Sequence, residues 1–155
     1  MTCSETFDMF SNGPGGNLFD PSRMDNLDAS QIGTVGEYLV AAVIAGYGYE
    51  VHHTRCNGYD LLVMRPGKDP IRVDVKTMKH ADKPRQWSIR RGKTTTFREY
   101  EAGDCDVFAL VCLEDQSIVF DRCEKYDGKG FIYINRNRHS ATCPHESWHS
   151  ATTLP

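Results

Sequence analysis

Asp60, Asp74 and Lys76 are the residues whose types and spacing point to chemistry in this 155-residue chain. They sit on or beside two short apolar runs, Leu61-Leu62-Val63-Met64 and Ile71-Arg72-Val73-Asp74-Val75. Between the runs lies the breaker Pro66-Gly67-Lys68-Asp69-Pro70, and the whole reads as an antiparallel hairpin. Folding it about Lys68 sets Asp60 opposite Lys76, Leu62 opposite Asp74 and Met64 opposite Arg72, so two carboxylates and an ammonium share one face. Directly opposed Cβ atoms lie about 5 Å apart and diagonal ones roughly 7 to 8 Å, which lets Asp60 reach both Lys76 and Asp74 and lets the carboxylates share a cation. The other face carries Leu61, Val63, Ile71, Val73 and Val75 without a charge and is the core side. An ordinary charged hairpin face is the alternative, because Arg72, Asp74 and Lys76 simply alternate.

The element that must bring a further carboxylate is the helix predicted over residues 31–45, with Val35, Leu39 and Val43 on one stripe and Val40, Ala41 and Ile44 on the next. Ser30 is its expected N-cap, and Gly46 and Gly48 supply the stop. Glu37 shares a stripe with Ala41 and Ile44, a costly place for a carboxylate without a cation or hydrogen bonds. A capping box, Thr34-x-x-Glu37, is the competing explanation, but a start at Thr34 would strand Ile32 outside the apolar stripe.

An Asp at the start of one strand, Asp-x-Lys in the next (Asp60; Asp74-Val75-Lys76) and a preceding helix with Gly-x-x-Gly-Glu (Gly33 to Glu37) resemble the PD-(D/E)xK nuclease superfamily. Within it the chain looks most like the small Holliday-junction-resolvase and homing-endonuclease members. The resemblance covers residues 31 to about 120, and Tyr59 stands where the family name puts Pro. It implies a restriction-endonuclease-like α/β core, a central mixed sheet flanked by helices. It implies a Mg²⁺- or Mn²⁺-dependent deoxyribonuclease, with branched or junction DNA as a candidate substrate. Asp60, Asp74 and the carbonyl of Val75 would then be metal ligands. Glu37 would bind through water or hold a second ion, and Lys76 would contact the attacking water and the phosphate. A homodimer follows only by analogy with nucleases that make paired cuts. A nucleic-acid-binding module that has kept the fold and lost cleavage is the second reading.

Charge placement bears on the partner. The total of −3 excludes bulk attraction to nucleic acid, yet residues 76–98 hold eight Lys and Arg against Asp82 alone, a net +7 that leaves −10 elsewhere. Lys79, Lys83, Arg85, Arg90, Arg91 and Lys93 are therefore expected to track a phosphate backbone, the alternative being a solvated loop.

The rest of the chain frames this domain. Residues 1–29 are polar and Gly-rich and read as a flexible arm, 30–135 as the domain, and 136–155 as a frayed polar tail whose removal from His139 onward should leave fold and activity intact. First strand, turn and helix are expected at residues 49–54, 55–58 and 94–102; further strands at 106–113 (the central buried one), 118–120 (an edge) and 131–134. His52 and His53 point to opposite faces and stay outside the catalytic set. At 39% hydrophobic and 25% charged, the composition is that of one soluble domain. With no apolar run near the roughly 18 residues of a membrane span and no signal-like start, a cytoplasmic protein with reduced thiols is expected. In the tail, Cys123, His139, Cys143, His145 and His149 are a weaker candidate set for Zn²⁺.

Overall fold

The computed structural model describes residues 21–54, 58–80, 85–90, 98, 100–101 and 103–153. Five strands form one mixed sheet in the order β1 (Glu50–His53), β2 (Leu61–Arg65), β3 (Lys68–Met78), β5 (Val107–Cys112), β6 (Ser117–Arg122). β3 runs antiparallel to β2 and parallel to β5. β4 (Arg85–Ser88) and β7 (Phe131–Ile134) pair separately as a two-stranded ribbon. Helices α1 (Pro21–Met24), α2 (Ala29–Gly46), α3 (Arg136–Ala141) and α4 (Pro144–Thr152) and a 3-10 turn at Cys123–Tyr126 complete the described elements.

One face of the large sheet packs on α2 and α4. Leu39, Val40, Val43 and Ile44 are buried there with Leu61, Val63, Ile71, Val73, Val75 and Trp148. Burying each such side chain contributes about 1.5 to 3 kcal/mol. That outweighs the roughly 1 kcal/mol each that Gly33 and Gly36 cost inside a helix. By length and composition α2 also qualifies as a membrane span, but here its buried stripe is the core's.

The opposite face, which carries Asp74 and Lys76, is covered too. Trp87, Ile89, Tyr100, Cys105, Phe108, Leu110, Cys123 and Ile132 form a second apolar cluster over it. β5 is buried at every position, as a central strand with both faces covered must be.

Several expectations need correction. The hairpin turns at Pro66-Gly67, where Gly67 has φ 70°, and Lys68, Asp69 and Pro70 already belong to β3. The pairs are Leu61 with Val73, Leu62 with Arg72 and Val63 with Ile71, two residues from the register expected. A slip by two preserves faces, so the buried set is unchanged. The N-cap of α2 is Asp28, in a capping box with Gln31, rather than Ser30. Glu37 therefore lies well inside the helix and caps nothing.

The end of the expected arm is not loose, since Met24 is buried; residues 1–20 lie outside the described ones, as does most of the helix expected at 94–102. The C-terminal stretch is no frayed tail. Pro144 opens α4, which buries Trp148 against Tyr49 and Phe120, and α3 buries His139 completely. Deletion from His139 would strip a wall of the core. The thiols are not all reduced either. Cys105 and Cys123 form a disulfide and Cys143 is disulfide-bonded, leaving neither Cys123 nor Cys143 for Zn²⁺.

Candidate active site

Alternation along β3 turns Asp74 and Lys76 to the face opposite Val73 and Val75. Just ahead of β2, the backbone N–H of Asp60 donates to the Val73 carbonyl at 2.9 Å, which sets Asp60 beside the Val73–Val75 stretch of β3. Asp60 Oδ2 accepts a hydrogen bond from the backbone N–H of Val75 at 2.7 Å. Val75, expected to lend its carbonyl, is thus engaged through its other backbone group.

Asp74 is buried to 3% exposure. Lys76 Nζ lies 2.7 Å from its Oδ1, and the hydroxyl of Tyr100 donates to its Oδ2. The ammonium also lies 5.4 Å from the centroid of the Tyr100 ring. A buried carboxylate without such partners would be expensive, so the lysine and the phenol hold Asp74 in place. Tyr100 escaped the sequence reading as a site residue; its inward aromatic position was visible, its polar tip was not.

Glu37 arrives from α2 because Gly36 lets that helix close onto β3. A Cβ at position 36 would lie 1.8 Å from Thr77 Oγ1 and 2.9 Å from Thr77 Cβ, an overlap that only a shift of the helix could relieve. Gly33, by contrast, has open space around it. Burial, and then the charge of Asp60, pushes the Glu37 carboxyl above its ordinary value, with Lys76 pulling the other way. Glu37 is thereby coupled to both. His53 Nδ1 lies 3.9 Å from Glu37 Oε2, and the Tyr38 ring rests on the imidazole with centroids 4.6 Å apart. His53 thus borders the cluster, while His52 pairs with Glu50.

All the donors here are oxygens, the set a hard divalent cation prefers. Among the described residues no three His, Cys, Asp or Glu side chains close on a common point.

The expected phosphate-tracking residues divide. Arg85 is fully buried and bonded to Asp115 at 2.5 Å and to Ser117 at 2.8 Å, with His139 as a third partner. It is a structural cation because alternation in β4 turns it inward beside Trp87. Lys79 pairs with Asp25 at 3.0 Å. Arg90 is exposed and lies 5.0 Å over the ring of Phe131. Lys83, Arg91 and Lys93 lie outside the described residues.

No family model matches the chain. Kelch-like protein 22 of Xenopus tropicalis is 36% identical over 70 residues, which are 45% of this chain but only 11% of that protein's length. The solved structure of a bacterial homing endonuclease, I-Ssp6803I, superposes with a TM-score of 0.64, covering 80% of this chain and 93% of that one at 17% identity. At that identity the likeness establishes architecture: the molecule has a mixed α/β fold, a five-stranded central sheet flanked by helices, similar to that of a homing endonuclease.

Proposed function

We propose that the chain is a metal-dependent endonuclease of the PD-(D/E)xK kind, hydrolysing DNA phosphodiester bonds with Mg²⁺ or Mn²⁺. Branched or junction DNA is its candidate substrate, and a homodimer its candidate form. The supporting observation is the cluster at β3: Asp74 is buried only 2.7 Å from Lys76, and Lys76 and Asp60 are both electrostatically coupled to Glu37.

Asp60 and Asp74 would hold the ion. When bound, it supplies charge neutralisation at the scissile phosphate and a more acidic water. Lys76, turned from Asp74 toward a phosphate oxygen, offsets the charge that develops in the transition state. Tyr100 orients Asp74 through its hydroxyl. Glu37, whose carboxyl binds a proton more readily than an ordinary glutamate, is suited to accept one from the attacking water.

One observation favours the second reading, a non-cleaving nucleic-acid binder. Both oxygens of Asp74 already have protein partners, so the carboxylate is neutralised without an ion. A single assay separates the two: purified protein on linear, nicked and four-way-junction DNA with Mg²⁺, Mn²⁺ or Ca²⁺, beside Asp74→Ala. Cleavage should need Mg²⁺ or Mn²⁺, vanish with EDTA and fall by about a thousandfold or more in Asp74→Ala, while DNA binding survives. Equal activity in the variant, or bound DNA left uncut under every condition, would transfer the conclusion to the binder.

A further inference from the structure

We infer that the exposed face of the β4–β7 ribbon enters the major groove of duplex DNA and reads base edges there. The inference rests on the nucleic-acid reading above and goes beyond it, from backbone contact to sequence recognition. Alternation divides the ribbon cleanly. Arg85, Trp87, Ile89 and Ile132 point inward and are buried, and Trp87 Nε1 donates to the Val111 carbonyl at 3.1 Å, fastening the ribbon to the large sheet. Gln86, Ser88, Arg90 and Tyr133 point outward and are exposed, with Phe131 half-buried among them. Gln86 pairs across the ribbon with Tyr133, and Ser88 with Phe131.

The outward set matches the chemistry of base edges. Glutamine can bond adenine bidentately, arginine guanine, and a serine hydroxyl either a donor or an acceptor, while aromatic carbon packs on the thymine methyl. These side chains stand on a fastened platform. Arg90 lies across Phe131 because Gly130 leaves it room; a Cβ at position 130 would come within 3.0 Å of Arg90 Nε. Two strands about 4.8 Å apart fit a major groove about 12 Å wide.

Charge is complementary to phosphate as well. No Asp or Glu occurs between residues 83 and 98 or between 128 and 145, and Lys129, Arg136 and Arg138 flank β7 in the chain. Single strands could instead stack on Tyr133, which is 59% exposed. The polar outward residues and the hydrogen-bonding choice of Gln86 favour duplex.

The test is selection from a randomised duplex pool with EDTA present, followed by binding of the enriched motif, a scrambled duplex and a matching single strand. Wild type should enrich a defined motif. Gln86→Ala combined with Tyr133→Ala should lose about tenfold or more of the discrimination between motif and scramble, and so should Gln86→Glu, which keeps the size but has no donor for adenine N7. Thermal unfolding of each variant should match wild type. Absence of any motif, discrimination unchanged in the variants, or tighter binding of single strand than of duplex would overturn the inference. Because binding is read without metal, a failure to cleave DNA would sink the nuclease and leave the ribbon standing. Cleavage accompanied by unchanged discrimination would do the reverse.

Discussion

Two charged clusters in this molecule, one around Asp74 and one around Arg85, use similar groups to opposite effect. In the second, Arg85 and His139 have no exposed surface, and Asp115, despite its partial burial, is held well below the ordinary carboxylate range by hydrogen bonds from Ser117, Arg85 and Ser140. His139 Nε2 faces the Leu110 carbonyl at 3.0 Å, which can only accept, so Nδ1 is the unprotonated nitrogen that receives the Arg85 guanidinium, while the Ser117 hydroxyl gives its proton to Asp115. Every charge there is stabilised in the state it holds. Around Asp74 the balance is incomplete: Glu37 is pushed toward its neutral form, and its side chain remains one-third exposed. The two clusters thus differ in the direction of their carboxyl pKa displacement and in solvent access, the kind of difference that marks a candidate functional site.

The sharpest way to break this contrast is Arg85→Ala. Removing one partner leaves Asp115 without its guanidinium, and urea unfolding at neutral pH should show a loss of about 3 to 5 kcal/mol. A loss below about 1 kcal/mol would mean that the cluster is no clamp.

Acid should expose the same clamp more gently. Burial lowers His139 from 6.5 to about 4, so between those values the unfolded chain binds more protons than the folded one. The contribution is complete above the upper value and is lost as pH falls toward the lower, in all about 3 kcal/mol. His139→Gln, which keeps a donor and an acceptor without titrating, should flatten the stability profile across that window; parallel profiles for variant and wild type would contradict it.

Glu37 should show the opposite sign and the smallest effect. Its pKa is raised, so its contribution is full below the ordinary value of 4.5 and is lost as pH rises through the raised one. Glu37→Gln should be more stable than wild type at neutral pH by about a few tenths of a kcal/mol after solvent screening, with the difference closing in acid. It should also lose cleavage. A variant less stable than wild type at neutral pH would make Glu37 a structural partner.

Much of this was legible in the chain: the faces of β2 and β3 follow from period-two alternation, and the buried β5 from its uninterrupted apolar run. The helix bearing Glu37 was readable by its apolar stripes at the helical period. What was hidden is tertiary. The hairpin register depended on whether Lys68, Asp69 and Pro70 were loop or strand; folding about Lys68 takes them as loop, and the turn at Pro66-Gly67 shifts the register by two residues. β4 does alternate, Gln86-Trp87-Ser88-Ile89, but surrounding cations made it read as a loop. Alternation places Arg85 on the Trp87 face and Arg90 on the Gln86 face, but what makes a buried Arg85 tolerable is not local: the carboxylate that neutralises it lies 30 residues away. Cysteine pairing is likewise invisible without the fold. For α4, the signal was present in Pro144 at the first turn and in Trp148 and Ala151 spaced three apart.

The order of strands has a further consequence, for association. β1 ends the sheet next to β2 and offers an edge on which a foreign strand could grow the sheet beside His53 and Glu37. It is only four residues long, and Glu50 and His52 stand exposed on it, paired at 2.8 Å. A strand docking there would have to match so short a ladder and meet that charge, conditions under which sheet edges resist runaway pairing. The margin closest to the catalytic candidates is therefore also guarded against aggregation.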